Sequence, residues 1–81
     1  MARYRYIVTG LDSTTRTGLS GQARQIAQVM DVEVGTEPLS RKTVDGLIRI
    51  IADAQGFGKY VDIDKVFSGL LQSGFLQRIE V

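Results

Sequence analysis

The sequence predicts an α+β fold in which three helices pack on a small antiparallel sheet formed by the N- and C-terminal strands. The chain opens with "RYRYIVTG" and closes with "FLQRIEV", two segments that alternate in polarity as strands do. Between them, three stretches repeat apolar residues at helical spacing. Because the chain has 81 residues, we expect a single small domain over residues 1–81.

The first strand is predicted from its aromatic and β-branched content. Tyr4, Tyr6 and Val8 fall on one face, and the strand ends at Gly10. The stretch from Thr9 to Gly21 is rich in glycine, serine and threonine and has no helical periodicity, which predicts a loop.

The first helix is predicted from residue 20 onward, with Ser20 as its N-cap. Its apolar stripe consists of Leu19, Ala23, Ile26, Ala27 and Met30. The segment "DVEVGTEP" then interrupts the pattern. We expect Val32 and Val34 to form a short strand, and Gly35 with Pro38 to mark a turn.

The second helix has the clearest pattern. Ser40 is a suitable N-cap, and "GFG" at residues 56–58 ends the helix. One stripe at i, i+3, i+4 and i+7 spacing faces the core: Val44, Leu47, Ile48 and Ile51.

The third helix begins at a cap supplied by Asp62 or Asp64 and ends at Gly74, a suitable C′ residue. Its stripe consists of Ile63, Val66, Phe67, Leu70 and Leu71. The tail then alternates as a final strand, which we expect to pair with the first.

The composition excludes several classes of function. The chain contains no cysteine and no histidine, so it lacks disulfides, the usual zinc ligands and the commonest general base. We therefore expect a protein that is not an enzyme and that uses no cofactor or metal. No apolar run approaches the length of about 20 residues that spans a bilayer, and nothing resembles a secretion signal. We expect a cytoplasmic protein without membrane contact.

The segment "TGLDSTT" contains a serine, Ser13, that resembles the attachment serine of carrier proteins. Such a serine begins a helix and carries a phosphate-linked arm. This resemblance implies a carrier-like domain that uses Ser13, which we keep as a remote alternative. The interpretation we favour is a polar turn made by Asp12 and Ser13 as the strand ends.

Two later segments together resemble helix-turn-helix domains. "QARQIAQVMDV" is similar to the first helix of that motif, with Ala27 as the small residue where the two helices cross. "LSRKTVDGLIRII" is similar to the second, with a serine cap, basic residues in the first turn and Val44 as the buried anchor. "KVFSGLLQSGFLQRIEV" resembles the way in which winged-helix domains leave a helix through glycine into a strand.

These resemblances imply a small transcription-regulator-type module that binds duplex DNA. A recognition helix needs basic residues opposite its core stripe, which the second predicted helix provides at Arg41, Lys42 and Arg49. We expect Arg16 and Arg24 to contact the phosphate backbone. These five residues are the predicted nucleic-acid site.

A protein-interaction module, such as a small adaptor or an inhibitor of a larger machine, is the alternative function. The outward face of the second predicted helix reads Lys42, Asp45, Arg49 and Asp53, a spacing that forms a salt-bridge ladder on a solvated face. The net charge of +1 selects no class of partner. An exposed terminal strand would then add to a partner sheet or form a homodimer.

Overall fold

A two-stranded antiparallel sheet brings together the two ends of the described chain. The computed structural model describes residues 3–19 and 21–81, with the side chains of Ser13, Thr14 and Arg16 outside that description. Strand β1 (Tyr4–Val8) pairs with strand β2 (Leu76–Glu80). Tyr4 lies opposite Glu80 and Val8 opposite Leu76.

The helices lie between the two strands in the chain. They are α1 (Ser13–Gly18), α2 (Gly21–Glu33), α3 (Arg41–Ala54) and α4 (Ile63–Ser73), with a 3₁₀ turn (Gly58–Tyr60) before α4. The predicted α+β fold, with three helices and a sheet made by the terminal strands, is confirmed, and α1 is an additional short helix. The N-cap predicted at Ser20 lies outside the described residues.

The prediction of a loop from Thr9 to Gly21 is wrong in its middle, where α1 forms. The Asp12 carboxylate accepts a hydrogen bond from the backbone N–H of Thr15 at 2.8 Å. In return the backbone N–H of Asp12 donates to the Thr15 hydroxyl at 2.9 Å. This reciprocal capping starts a helix, although the segment has no apolar periodicity. Asp12 therefore caps a helix where we expected a polar turn.

The short strand predicted at Val32 and Val34 is also absent from the structure. Val32 lies within α2 and is 80% exposed, and the N–H of Val34 donates to the Met30 carbonyl at 2.9 Å, which continues the helical pattern. Strand-like pairing occurs instead at Leu39, whose N–H and carbonyl both bond the backbone of Tyr6 at 2.8 Å. At Tyr6, β1 is thus paired on both sides.

The other predicted helix ends are confirmed. The Ser40 hydroxyl accepts a hydrogen bond from the N–H of Thr43 at the start of α3. The Asp62 carboxylate, rather than that of Asp64, does the same for α4. Gly74 ends α4 with a φ of 90°, a conformation that favours glycine because it has no Cβ.

The core is one cluster between the inner face of the sheet and the apolar stripes of the helices. On β1 the inner face carries Tyr6 and Val8, both buried. The predicted stripes supply most of the rest: Leu19, Ile26, Ala27, Met30, Val44, Ile48, Ile51, Val66, Phe67 and Leu70. Four stripe residues, Ala23, Leu47, Ile63 and Leu71, are only partly buried at the margin of this cluster.

Within residues 3–19 and 21–81, no helix combines the length and apolar character that crossing a membrane would require. The same part of the chain contains no group of three acidic side chains placed to hold a metal ion.

The burial pattern of α3 predicts that replacing either of two isoleucines, two positions apart, has very different effects on the free energy of unfolding. Ile48 is 0% exposed, whereas Ile50 is 66% exposed. We expect Ile48→Ala to lower the free energy of unfolding by about 2–5 kcal/mol, because it leaves a cavity in the core. Ile50→Ala is the matched control and should change it by less than about 0.5 kcal/mol. Urea denaturation measures both, and equal small losses would show that the core stripe is wrongly placed.

Candidate nucleic-acid interface

Two cations lie on the solvent side of α3. Lys42 and Arg49 are seven positions apart, which places them on the same side of a helix and about 10 Å apart along its axis. Both residues and the intervening Gly46 are exposed. The core stripe of α3 occupies the opposite side. The predicted site residues Lys42 and Arg49 therefore share one accessible surface.

Arg41, also predicted as a DNA contact, is held by the protein itself. Its Nε lies 3.0 Å from a carboxylate oxygen of Asp45, one turn along α3. One of its terminal nitrogens lies 3.0 Å from a carboxylate oxygen of Asp64 on α4. The guanidinium also lies over the ring of Phe67, 3.6 Å from the ring centroid. The contacts with Asp64 and Phe67 join α3 to α4, so Arg41 holds the start of α3 against α4.

The aromatic ring beneath Arg41 extends this connection to the sheet. Phe67 is 3% exposed and packs against Tyr6 with an edge-to-face geometry, the ring centroids 4.9 Å apart. An arginine over an aromatic ring and an edge-to-face ring pair are both favourable arrangements. We call Tyr6, Phe67 and Arg41 the clamp, because together they join β1, α4 and α3.

The salt-bridge ladder considered for α3 does not form as expected. Asp45 pairs with Arg41 rather than with Lys42 or Arg49. In the described part of the chain, both ion pairs belong to Arg41. Lys42 and Arg49 therefore face solvent outside any described ion pair, although Asp53 is an exposed residue on the same side of the helix.

The two remaining predicted contacts are on other elements. Arg24 is exposed on α2, which packs against α3. Asp31, seven positions further along α2, is exposed on the same side of that helix. The side chain of Arg16 lies outside the described residues, so its predicted phosphate contact stays a prediction. The structure thus brings Lys42 and Arg49 together but leaves Arg24 on the neighbouring helix.

The connection between the two helices differs from that of a helix-turn-helix motif. Residues 34–40 separate α2 from α3, whereas the usual turn has about three or four residues. This longer connection contains Leu39, which bonds to β1. The position of α3 relative to α2 therefore depends on the sheet as well as on the turn.

The remaining sequence motif, at Ser13, lies at the first position of α1. Its side chain is outside the described residues, and α1 has only 6 residues. The carrier-like role of Ser13 stays a prediction.

No family model, no curated protein and no solved structure matches this chain. The placement and chemistry of its own side chains are therefore what bears on its function.

Neighbouring basic residues on α3 should contribute differently to stability. We expect Arg41→Ala to lower the free energy of unfolding by about 1 kcal/mol, because it removes a cation–π contact and two partly exposed ion pairs. Lys42→Ala should change it by less than about 0.5 kcal/mol, since Lys42 is exposed and outside these pairs.

Thermal unfolding followed by circular dichroism measures both variants. If Lys42→Ala lowers the stability as much as Arg41→Ala does, the assignment of Arg41 as a residue that joins α3 to α4 is contradicted.

Proposed function

We propose that this chain is a small non-enzymatic nucleic-acid-binding module of the transcription-regulator type, which presents the exposed side of α3 to duplex DNA. The observation that carries the proposal is the placement of Lys42 and Arg49 on one solvent-facing side, outside the described ion pairs. The cytoplasmic location expected from the sequence is part of this proposal.

The two cations suit different contacts. The guanidinium of Arg49 has a planar fork of donors that matches a guanine edge or a phosphate, whereas the ammonium of Lys42 acts as a point charge. Because the clamp holds the start of α3, the helix needs no rearrangement to present them. Preorganised binding groups lose less conformational entropy when a partner binds.

Charge balance sets the expected strength of binding. The net charge is only +1, and the acidic residues Asp31, Glu33 and Glu37 are all exposed near the junction of α2 and α3. Non-specific DNA affinity comes almost entirely from phosphate neutralisation. We therefore expect weak non-specific binding, with a dissociation constant on the order of 10⁻⁴–10⁻⁶ M.

Fluorescence polarisation with a labelled random-sequence duplex tests the proposal. Two to four phosphate contacts predict a slope of about −2 to −4 for log affinity against log salt. We expect Lys42→Ala and Arg49→Ala each to weaken binding and to bring that slope about one unit closer to zero, because each removes one phosphate contact.

Lys65→Ala is the matched control, since Lys65 is exposed on α4 and lies outside the predicted site. It should leave both the affinity and the slope close to those of the unmodified protein. If neither Lys42→Ala nor Arg49→Ala changes the affinity, the exposed side of α3 is not the contact surface. If no binding occurs at low salt, the DNA-binding proposal is wrong.

A protein-interaction module is the second candidate function. The observation that favours it is the outer edge of β2, which lies at the margin of the sheet and pairs with no other strand in the described part of the chain. An open edge can accept a strand from a partner through its backbone groups. This candidate predicts binding without the steep linear fall of log affinity with log salt that phosphate neutralisation causes, which distinguishes it from the DNA-binding role.

A further inference from the structure

The hydrogen-bond pattern of the sheet shows which backbone groups of β2 face β1. The N–H of Val81 donates to the carbonyl of Arg3 at 2.9 Å, and the N–H of Thr9 donates to the carbonyl of Phe75 at 2.9 Å. Hydrogen-bonded pairs alternate with non-hydrogen-bonded pairs along an antiparallel ladder. The odd-numbered residues of β2 therefore point their backbone groups toward β1.

The even-numbered residues Leu76, Arg78 and Glu80 consequently point their N–H and carbonyl groups away from β1. Among the described residues, no backbone group bonds to them from that side. The opposite margin of the sheet differs, because Leu39 bonds the backbone of Tyr6 there. The sheet is thus partly covered along β1 and open along β2.

We infer that the open edge of β2 pairs antiparallel with the same edge of a second copy of this chain, with Ile79 opposite Ile79 of that copy. In this register Arg78 lies opposite Glu80 of the second copy, and Glu80 lies opposite its Arg78. The inference rests on the protein-interaction candidate and gives it a specific partner. It does not depend on DNA binding.

Charge complementarity selects this register over its neighbours. A pairing centred on Arg78 places two arginines directly opposite each other, which is destabilising. A pairing centred on Gln77 places Arg78 opposite a leucine and leaves Glu80 beyond the paired segment. Only the pairing centred on Ile79 gives two opposite-charge pairs on one face of the sheet, with two isoleucines in contact on the other face.

The exposed apolar surface near this edge supports the same occupant. Val81 is 65% exposed, and Ile7 and Ile79 on the outer face of the sheet are only partly buried. Edge-to-edge pairing of two copies turns two two-stranded sheets into one continuous sheet of four strands, with a continuous outer face. A sheet of three or more strands is more stable in water than one of two strands. Because the paired segment is short, the dimer is expected to be weak and reversible.

Sedimentation velocity of the full chain over a concentration series tests the inference. The unmodified protein should shift from monomer to dimer as concentration rises. Arg78→Glu and Glu80→Arg should each raise the dissociation constant of the dimer by about tenfold or more, because each turns two attractive pairs into two repulsive ones.

The double variant Arg78→Glu/Glu80→Arg should restore dimerisation, since it exchanges the charges and keeps both pairs attractive. An equimolar mixture of the two single variants should form a mixed dimer for the same reason. A register centred on residue 78 predicts instead that all three variants dimerise about as weakly as the unmodified protein, because residue 78 then faces a like charge in every one of them.

Lys65→Glu is the matched control, because it changes the net charge by the same amount as Arg78→Glu on the exposed side of α4. It should dimerise like the unmodified protein, and circular dichroism should show that every variant is folded. A monomer at all concentrations, or a double variant that does not recover, would overturn the inference. Neither result affects the DNA titration, which uses changes in α3.

Discussion

The pairing of β1 along both of its edges, with β2 on one and through Tyr6 with Leu39 on the other, is the constraint on which the rest of this structure depends. On one side β1 pairs with β2, and on the other the N–H and carbonyl of Tyr6 bond Leu39 at 2.8 Å. Leu39 immediately precedes Ser40, the N-cap of α3. The same residue packs its ring on Phe67 of α4, over which Arg41 lies. One strand residue thus fixes the start of α3 and its contact with α4.

This arrangement separates the part of the chain that maintains the fold from the parts that remain accessible. Arg41 contributes its charge to contacts within the protein, whereas Lys42, the next residue, faces solvent with Arg49. A helix that is held in place and also carries accessible side chains is suited to recognition, because a rigid helix positions its side chains more precisely than a loop. The open edge of β2 is a second accessible surface, and it differs in chemistry because it presents backbone N–H and carbonyl groups. DNA binding and dimerisation, as proposed, therefore use separate surfaces of the described chain.

Much of the fold follows from short-range patterns, whereas the missed features depend on other forces. The stripe through Val44 and Ile48 predicted α3 because one helix face meets the core. Helix α1 was missed because a reciprocal cap at Asp12 and Thr15 starts it without any apolar periodicity. The strand expected at Val32 is part of α2, since the helical hydrogen bonds continue to Val34 and override the local β-preference.

The candidate site could be predicted only in part for a similar reason. The exposure of Lys42 and Arg49 follows from helical periodicity, and the pairing of Arg41 with Asp45 follows from i, i+4 spacing. The contacts of Arg41 with Asp64 and Phe67 join residues more than twenty positions apart, which no local pattern reveals.

Native-state hydrogen exchange at the amides of Tyr6 and Leu39 tests most directly whether the pairing of β1 organises the fold. If β1 organises the fold, both amides should exchange only through global unfolding, with the same free energy as the amide of Ile48 in α3. Opening of Tyr6 and Leu39 at a much lower free energy, while α3 stays protected, would contradict this account.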